Sequence, residues 1–147
     1  MSWIDDEREI TRRVHEYAHG IDGRDWALYR SIFADEVAID FSSYDGRPRS
    51  TMTADAWLDR VRPLFTGLDA TQHSMTTALV DPDGDDRARC RMYVTAVHVL
   101  DGREFTLGGC YDDHLVRTDD GWRLDAVTLD VRWRRGDESI MREALER

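Results

Sequence analysis

The sequence predicts an α+β fold in which a curved, mostly antiparallel sheet forms a cone and N-terminal helices enclose a pocket against it. Over much of the first 65 residues, apolar side chains recur at helical spacing. From residue 70 onward, apolar and polar side chains alternate, as they do in strands. Short turns rich in Asp and Gly separate the strand segments, and strands joined by such turns pair antiparallel. Helices that are segregated from an antiparallel sheet define the α+β class.

Four helices are predicted, three of them before the long strands. They cover residues 4–20, 26–33, 54–65 and 137–146. Acidic residues at the start of the first helix suit the positive end of its dipole, and Gly20 is expected to end it. Asp25 and Thr53 precede the second and third helices, where their side chains can accept a hydrogen bond from the first turn.

Five strands are predicted, beginning with a short one in which Val37, Ile39 and Phe41 alternate with polar neighbours. The strands cover residues 37–41, 70–80, 86–100, 103–117 and 122–134. The stretch 44–48 is expected to be a turn or loop. Since no repeat or linker interrupts this order, we expect one domain over residues 1–147.

The composition restricts the function and the cellular location. A net charge of −10 disfavours binding to nucleic acid or to an anionic membrane surface. All 20 basic residues are Arg, so the chain has no Lys for Schiff-base chemistry. Cys90 and Cys110 lie far apart, as suits a reduced protein, and neither a membrane span nor a signal peptide is indicated. We therefore expect a cytoplasmic protein.

Strand alternation places two histidines on the inner face of the sheet. His98 continues a row of small and apolar residues along 86–100, and His73 shares a face with Met75 and Leu79. An inward imidazole needs a hydrogen-bond partner, because buried polar groups are otherwise costly. The alternatives, without a chemical role, are a core histidine bonded to the backbone for His73 and a hydrogen-bonded histidine at the rim for His98.

The strand at 103–117 has two possible inner faces. One carries Gly109, Tyr111, Asp113 and Leu115, and the other carries Gly108, Cys110, Asp112, His114 and Val116. We favour the face with Tyr111 and Asp113 as the inner one.

Asp22 follows the first predicted helix, where an Asp most often serves a turn or a cap. Asp25 fits that structural role, which leaves Asp22 available for another task. Elsewhere, His15 and His19 share a helix face but lack the Glu placement of the zinc-protease pattern. No phosphate loop, Cys-x-x-Cys pair or nucleophile elbow is present, so neither a metal nor a cofactor is expected.

Blocks of sequence spread over nearly the whole chain carry a family resemblance. They are Glu16-Tyr17-Ala18, Asp22-Gly23-Arg24-Asp25-Trp26, Ile39-Asp40-Phe41, Thr71-Gln72-His73, Val97-His98, Gly121-Trp122 and Asp130-Val131-Arg132-Trp133. Together they resemble the scytalone dehydratase family, in the SnoaL-like branch of the nuclear transport factor 2-like superfamily. The aspartate before Arg-Asp-Trp and the histidine after Thr-Gln are the specific points of similarity.

The resemblance implies a catalytic role for Asp22, His73 and His98, with the first two as a base pair and the third across the pocket. Hexachlorocyclohexane dehydrochlorinase and bile-acid 7α-dehydratase are similar in using an inward histidine, and all of these enzymes run eliminations. Two tyrosines that polarise the dehydratase substrate correspond here to Ile21 and Phe41, which cannot donate a hydrogen bond. Scytalone is therefore not the expected substrate.

We expect a cofactor-free lyase of the dehydratase type, or an isomerase, that acts on a small apolar carbonyl compound by His–Asp acid–base catalysis. The residues expected to contact the substrate are Tyr17, Phe41, Tyr44, Met75, Met92, Tyr111, Asp113 and Trp133. A non-catalytic ligand-binding or assembly module and a polyketide cyclase are the alternatives. Such cones often associate through the outer sheet face, so a homodimer or homotrimer is expected.

Overall fold

Five helices and six strands form along residues 2–147, the part of the chain that the computed structural model describes. The helices are α1 (Trp3–Asp22), α2 (Trp26–Ser31), α3 (Ser42–Asp45), α4 (Ala54–Gly67) and α5 (Ser139–Leu145). The strands are β1 (Phe33–Asp40), β2 (Ser50–Thr53), β3 (Ala70–Pro82), β4 (Arg87–Leu100), β5 (Arg103–Thr118) and β6 (Gly121–Gly136).

The strands form one curved, unclosed sheet in the order β2-β1-β6-β5-β4-β3. Neighbouring strands pair antiparallel except β1 and β6, which pair parallel. The amphipathic helices α1 and α4 pack their apolar faces against the sheet and complete the core. The predicted α+β class, with N-terminal helices on a curved and mostly antiparallel sheet, is confirmed. Over residues 2–147, no helix combines the length and the apolar character that crossing a membrane requires.

The end of α1 lies two residues beyond the predicted one. Gly20 is inside the helix, and a Cβ atom placed there would lie 2.9 Å from the Cβ atom of Tyr29 on α2. The glycine therefore permits close helix packing rather than ending α1. Gly23 is the C-cap, and its N–H donates to the carbonyl of His19 at 3.0 Å. This extension makes Asp22 the last residue of α1.

An irregularity in β3 moves Leu79 to the opposite face from the predicted one. The pairing with β4 shifts between Thr76 and Leu79, and Thr77 has a left-handed backbone with φ of 58°. Before the irregularity His73 lies opposite Ala96, on the inner face. After it Leu79 lies opposite Arg91, and its side chain is 55% exposed. Simple alternation fails at such a bulge because the extra residues change the phase of the strand.

Residues 42–53 contain more regular structure than the predicted loop. A one-turn helix, α3, ends at Gly46, whose φ of 75° suits glycine. The edge strand β2 then pairs antiparallel with β1. Both elements are only four residues long, which is too short for a hydrophobic period to reveal them.

A buried carboxylate near the start of α1 links that helix by hydrogen bonds to the ends of β5 and β6 that meet at their connecting turn. Asp6 is 5% exposed and accepts hydrogen bonds from both terminal nitrogens of Arg117, at 2.9 and 3.0 Å. It also accepts the indole N–H of Trp122 at 3.0 Å. These side-chain hydrogen bonds, from Arg117 first and then from Trp122, lower the pKa of Asp6 to about 2.

We expect Asp6→Asn to lower the free energy of unfolding by about 1–3 kcal/mol at pH 7, because Arg117 loses its charged acceptor. Urea unfolding measures the change, and Glu7→Gln, an exposed position on the same helix, is the matched control. The folded pKa is below the ordinary value, so the benefit is complete above about pH 4. The difference between wild type and variant should shrink as the pH falls from 4 toward 2. Equal stability of the two proteins at pH 7 would contradict this role.

Candidate active site

A cavity of about 400 Å³ opens into the interior between the sheet, α4 and α5. Apolar side chains form most of its wall, namely Ile39, Phe41, Trp57, Val61, Leu64, Phe65, Ala96, Leu107, Leu129, Met141 and Leu145. Its polar interior groups are His73, His98, Tyr17 and Tyr111. A few polar groups in an apolar cavity are the usual composition of a small-molecule site.

The carboxylate of Asp22 and the imidazole of His73 form a pair at the cavity. His73 Nδ1 lies 2.8 Å from Asp22 Oδ1, and the backbone N–H of His73 donates to Asp22 Oδ2 at 2.7 Å. The His73 side chain is only 4% exposed and that of Asp22 is 22% exposed. Because a carboxylate only accepts hydrogen bonds, the contact assigns a proton to Nδ1 and leaves Nε2 as the free ring nitrogen.

Two further residues hold the Asp22 carboxylate in place. The hydroxyl of Thr71 donates to Asp22 Oδ1 at 2.9 Å. Arg24 donates to that hydroxyl oxygen at 3.0 Å, and also to the carbonyl of Leu68 at 3.2 Å. Sequence reasoning gave neither Thr71 nor Arg24 a role, although both lie in the blocks that carry the family resemblance. The φ of 54° at Arg24 marks the sharp turn that returns its side chain beneath the end of α1.

Hydrogen bonding favours the ionised form of Asp22. Partial burial opposes ionisation, but the hydrogen bonds and the proximity of His73, together with the bond from Thr71, hold the pKa of Asp22 below its ordinary value. An ionised Asp22 can stabilise positive charge on His73. The pair therefore has the arrangement of a base and the carboxylate that orients it.

His98 faces the same cavity from β4. Its ring centre is 6.0 Å from that of His73, and Phe65 packs near both rings at 5.8 and 6.0 Å. Nδ1 of His98 lies 3.0 Å from the carbonyl oxygen of Phe105, so Nδ1 carries a proton and Nε2 is an acceptor. Burial lowers the pKa of His98 to about 4, and the opposing effect of the Phe105 carbonyl is smaller. His98 is therefore neutral at pH 7.

Tyr17 and Tyr111 bring two hydroxyl groups to the cavity. Their oxygens are 3.5 Å apart, which is long for a hydrogen bond between hydroxyls. Burial raises the pKa of each hydroxyl well above its ordinary value. Both groups thus stay protonated and can donate to a ligand oxygen. Tyr44 also lines the cavity, as does the apolar ring of Phe41.

Asp113 points inward from β5, as expected, but it lies outside the cavity lining. Its side chain is almost fully buried, and within residues 2–147 its Oδ1 atom has no hydrogen-bond partner. Burial raises the pKa of Asp113 well above the ordinary value, with a smaller contribution from Asp112, and so favours the neutral carboxyl. It lies opposite Cys90, a free thiol whose pKa burial raises to about 12.

Three other predicted contact residues are also absent from the cavity wall. Met92 is buried in the core, and Met75 is partly buried and packs against that core. Trp133 is 41% exposed and lies over Gly108 on the outer face. In the pairing of β5 with β6, Gly109 lies opposite Val131 and Gly108 lies opposite Trp133, so β6 has one extra residue between these two pairs. This bulge places Trp133 on the opposite face from the one that simple alternation gives.

Together, the Asp22–His73 pair, His98 and the two tyrosines place titratable groups around a mostly apolar space. Residues 3–128 match the SnoaL-like domain family. The chain belongs to this family. The predicted resemblance is therefore confirmed at the level of the SnoaL-like branch.

Relatives of the SnoaL-like chain share its fold along most of its length. The crystal structure of a protein from Kribbella flavida is 32% identical, with a TM-score of 0.89, and the match covers 96% of this chain and 99% of that one. A dehydratase of Pestalotiopsis microspora is 25% identical over 132 residues, which is 82% of each chain. A candidate scytalone dehydratase from Novosphingobium aromaticivorans has the same fold at 20% identity and a TM-score of 0.80, covering 92% and 89% of the two chains.

We expect the His98 ring to titrate with a midpoint near pH 4, measured from its ring proton shifts by NMR. The unfolded chain binds this proton at about pH 6.5, so between pH 6.5 and 4 the unfolded state holds more protons. Unfolding free energy should therefore fall as the pH falls through this window.

His98→Gln should make that fall shallower, whereas the same change at His19, an exposed residue of α1, should leave it unaltered. A His98 midpoint at or above pH 6.5 would contradict the buried neutral ring.

Proposed function

We propose that this protein is a cofactor-free lyase or isomerase that acts on a small apolar carbonyl compound. The main observation in support of this proposal is the Asp22–His73 pair, which presents a free imidazole nitrogen to a mostly apolar cavity. His73 Nε2 removes a proton from the carbon beside the carbonyl group. Proton transfer by a positioned side chain is worth about 10²–10⁴-fold in rate.

Asp22 serves this step in two ways. Its hydrogen bond fixes the Nδ1–H form of the ring, so that the basic nitrogen faces the substrate. Its negative charge stabilises the imidazolium that forms when the proton arrives. The 22% exposure of the carboxylate limits screening by water, which keeps this interaction strong.

The tyrosines offer the second half of the chemistry. As the proton leaves, charge develops on the carbonyl oxygen, and hydroxyl donors already in place stabilise it. Tyr17 and Tyr111 supply such donors at the cavity. They replace, from other positions, the donors that Ile21 and Phe41 cannot provide.

We assign His98, across the pocket, the role of a hydrogen-bond acceptor in this reaction. With Nδ1 donating to Phe105 and a pKa of about 4, the ring has no spare proton at neutral pH. It accepts a hydrogen bond from a substrate hydroxyl through Nε2 and so orients the leaving group. We therefore assign the return of the proton to His73.

For a β-hydroxy ketone the steps balance with one residue. His73 takes the proton from the carbon, the electron pair forms the carbon–carbon double bond, and the carbon–oxygen bond breaks. The imidazolium gives the same proton to the departing hydroxide, which leaves as water. For a β,γ-unsaturated ketone, return of the proton to the γ carbon by the same base is instead an isomerisation.

The names of two similar proteins, one found by sequence and one by structure, support an elimination. The dehydratase of Pestalotiopsis microspora covers most of this chain, and a hexachlorocyclohexane dehydrochlorinase shares the fold. Both names describe loss of a small molecule from neighbouring carbons. A site built around one base suits that reaction class.

The test uses 4-hydroxy-4-phenylbutan-2-one and apolar ketones of similar size. In D₂O, NMR follows deuterium entry beside the carbonyl, and absorbance follows loss of water. We expect His73→Ala and Asp22→Asn each to lower the enzymatic rate by about 10²–10⁴-fold, since the base or its orientation is lost.

His114→Ala is the matched control, because it removes a histidine from the outer face of β5. It should keep the wild-type rate. Ketones that bind the wild type without exchange or elimination would contradict catalysis and favour a binding module. A ring-closed product would favour a cyclase instead.

A further inference from the structure

The opening of the cavity has a different chemistry from its interior. Three arginines line it, Arg47 on the segment after α3, Arg60 on α4 and Arg142 on α5, and all three residues are exposed. The interior groups His73 and His98, by contrast, are buried. The exposed positions identify the arginines as the mouth of the cavity.

Arg60 occupies a position that the helix pattern reserves for the cavity side. The other residues of α4 that line the cavity are Trp57, Val61, Leu64 and Phe65, at helical spacing. Arg60 belongs to this stripe, although its neighbours on it are apolar. An arginine that served only solubility would fit the outer side of the helix equally well.

These guanidinium groups lack strong partners in the protein. Across residues 2–147, neither Arg60 nor Arg142 forms an ion pair within 4.0 Å, and Arg60 only approaches the sulfur of Met52 at 3.9 Å. Arg47 pairs loosely with Asp45, at 3.9 Å from Nε to Oδ2. Asp45 is the one carboxylate among the residues that line the cavity.

The contrast with the rest of the surface is marked. The chain carries a net charge of −10, and many of its arginines are paired with carboxylates. At the mouth, three positive groups face one negative group. This local excess of positive charge attracts an anion and steers it toward the cavity.

We infer that the substrate is an apolar molecule with an anionic group at one end, held at the mouth by Arg60 and Arg142 with help from Arg47. The apolar body enters the cavity and brings its reacting carbon to His73. A carboxylate, sulfonate or phosphate suits the planar guanidinium donors. The inference rests on the proposed function for the reaction, whereas its binding test stands alone.

Two fluorescent probes separate charge from apolar contact. They are 8-anilino-1-naphthalenesulfonate (ANS) and N-phenyl-1-naphthylamine (NPN), which has the same ring system without the sulfonate. We expect the wild type to bind ANS more tightly than NPN, and NPN to displace it competitively at one site. Raising NaCl to about 0.5 M should reduce the difference, because exposed charges are screened by salt.

The double variant Arg60→Gln with Arg142→Gln should weaken ANS binding by about 2- to 5-fold for each arginine removed. Binding of NPN should not change. The matched control is Arg8→Gln with Arg12→Gln, which removes two exposed charges from α1 and should leave both affinities unchanged. The double variant Arg60→Lys with Arg142→Lys should retain most of the preference for ANS, because the charge remains.

Three results would overturn the inference. One is a wild type that binds NPN at least as tightly as ANS. Another is a loss of ANS affinity no larger than in the α1 control, or an equal loss for NPN. The third is a failure of NPN to displace ANS, which would place the anion outside the cavity.

His73→Asn separates this inference from the proposed function. It should abolish proton exchange on ketones and leave the ANS-to-NPN ratio as in the wild type. If the ANS-to-NPN preference is observed but neither the wild type nor any variant catalyses the reaction, the proposed reaction is wrong and the anion site stands. Catalysis without any preference for the anion would do the reverse.

Discussion

The carboxylate of Asp22 is the point on which the candidate site depends. It accepts hydrogen bonds from the Thr71 hydroxyl, the His73 backbone and the His73 ring, and so joins the end of α1 to the beginning of β3. Those contacts fix the position of the helix and the tautomer of the base at the same time. Arg24 supports them from the turn that follows α1. The same hydrogen bonds therefore hold α1 against β3 and orient the His73 ring.

Polarity inside the cone is obtained almost without charge. His98 is neutral, Asp113 is held toward its neutral form, and the tyrosine hydroxyls keep their protons, in each case because burial penalises the charged state. Asp22 is the exception, and three hydrogen bonds compensate it. In such surroundings the positive charge that a transferred proton places on His73 interacts strongly with the Asp22 carboxylate. Free positive charge occurs at the mouth, where water solvates it.

Strand alternation was sufficient to predict much of this arrangement. It placed His73 and His98 on the inner face and left two possible faces for the strand of Tyr111, of which the favoured one is correct. The turn and cap signals located the long strands and the start of α4. Alternation failed for Leu79 and Trp133, because each follows a bulge that changes the phase of its strand. Bulges depend on pairing with a neighbour, which one strand's own sequence does not specify.

Other parts needed three dimensions or the family resemblance. Gly20 has the composition of a helix end, but its function is to let α1 approach Tyr29, and only the packing distinguishes the two. The link from Asp22 to His73 crosses 51 positions of sequence and was suggested by resemblance rather than spacing. Arg60 and Thr71 were missed because their roles depend on what lies opposite them.

The most direct measurement of this account is the proton position on the His73 ring. Nitrogen-detected NMR of the free protein at about pH 8.5, where histidines are ordinarily neutral, distinguishes the two tautomers. We expect the proton on Nδ1 in the wild type and a loss of that preference in Asp22→Asn. A proton on Nε2 in the wild type would leave no base facing the cavity and would contradict the account.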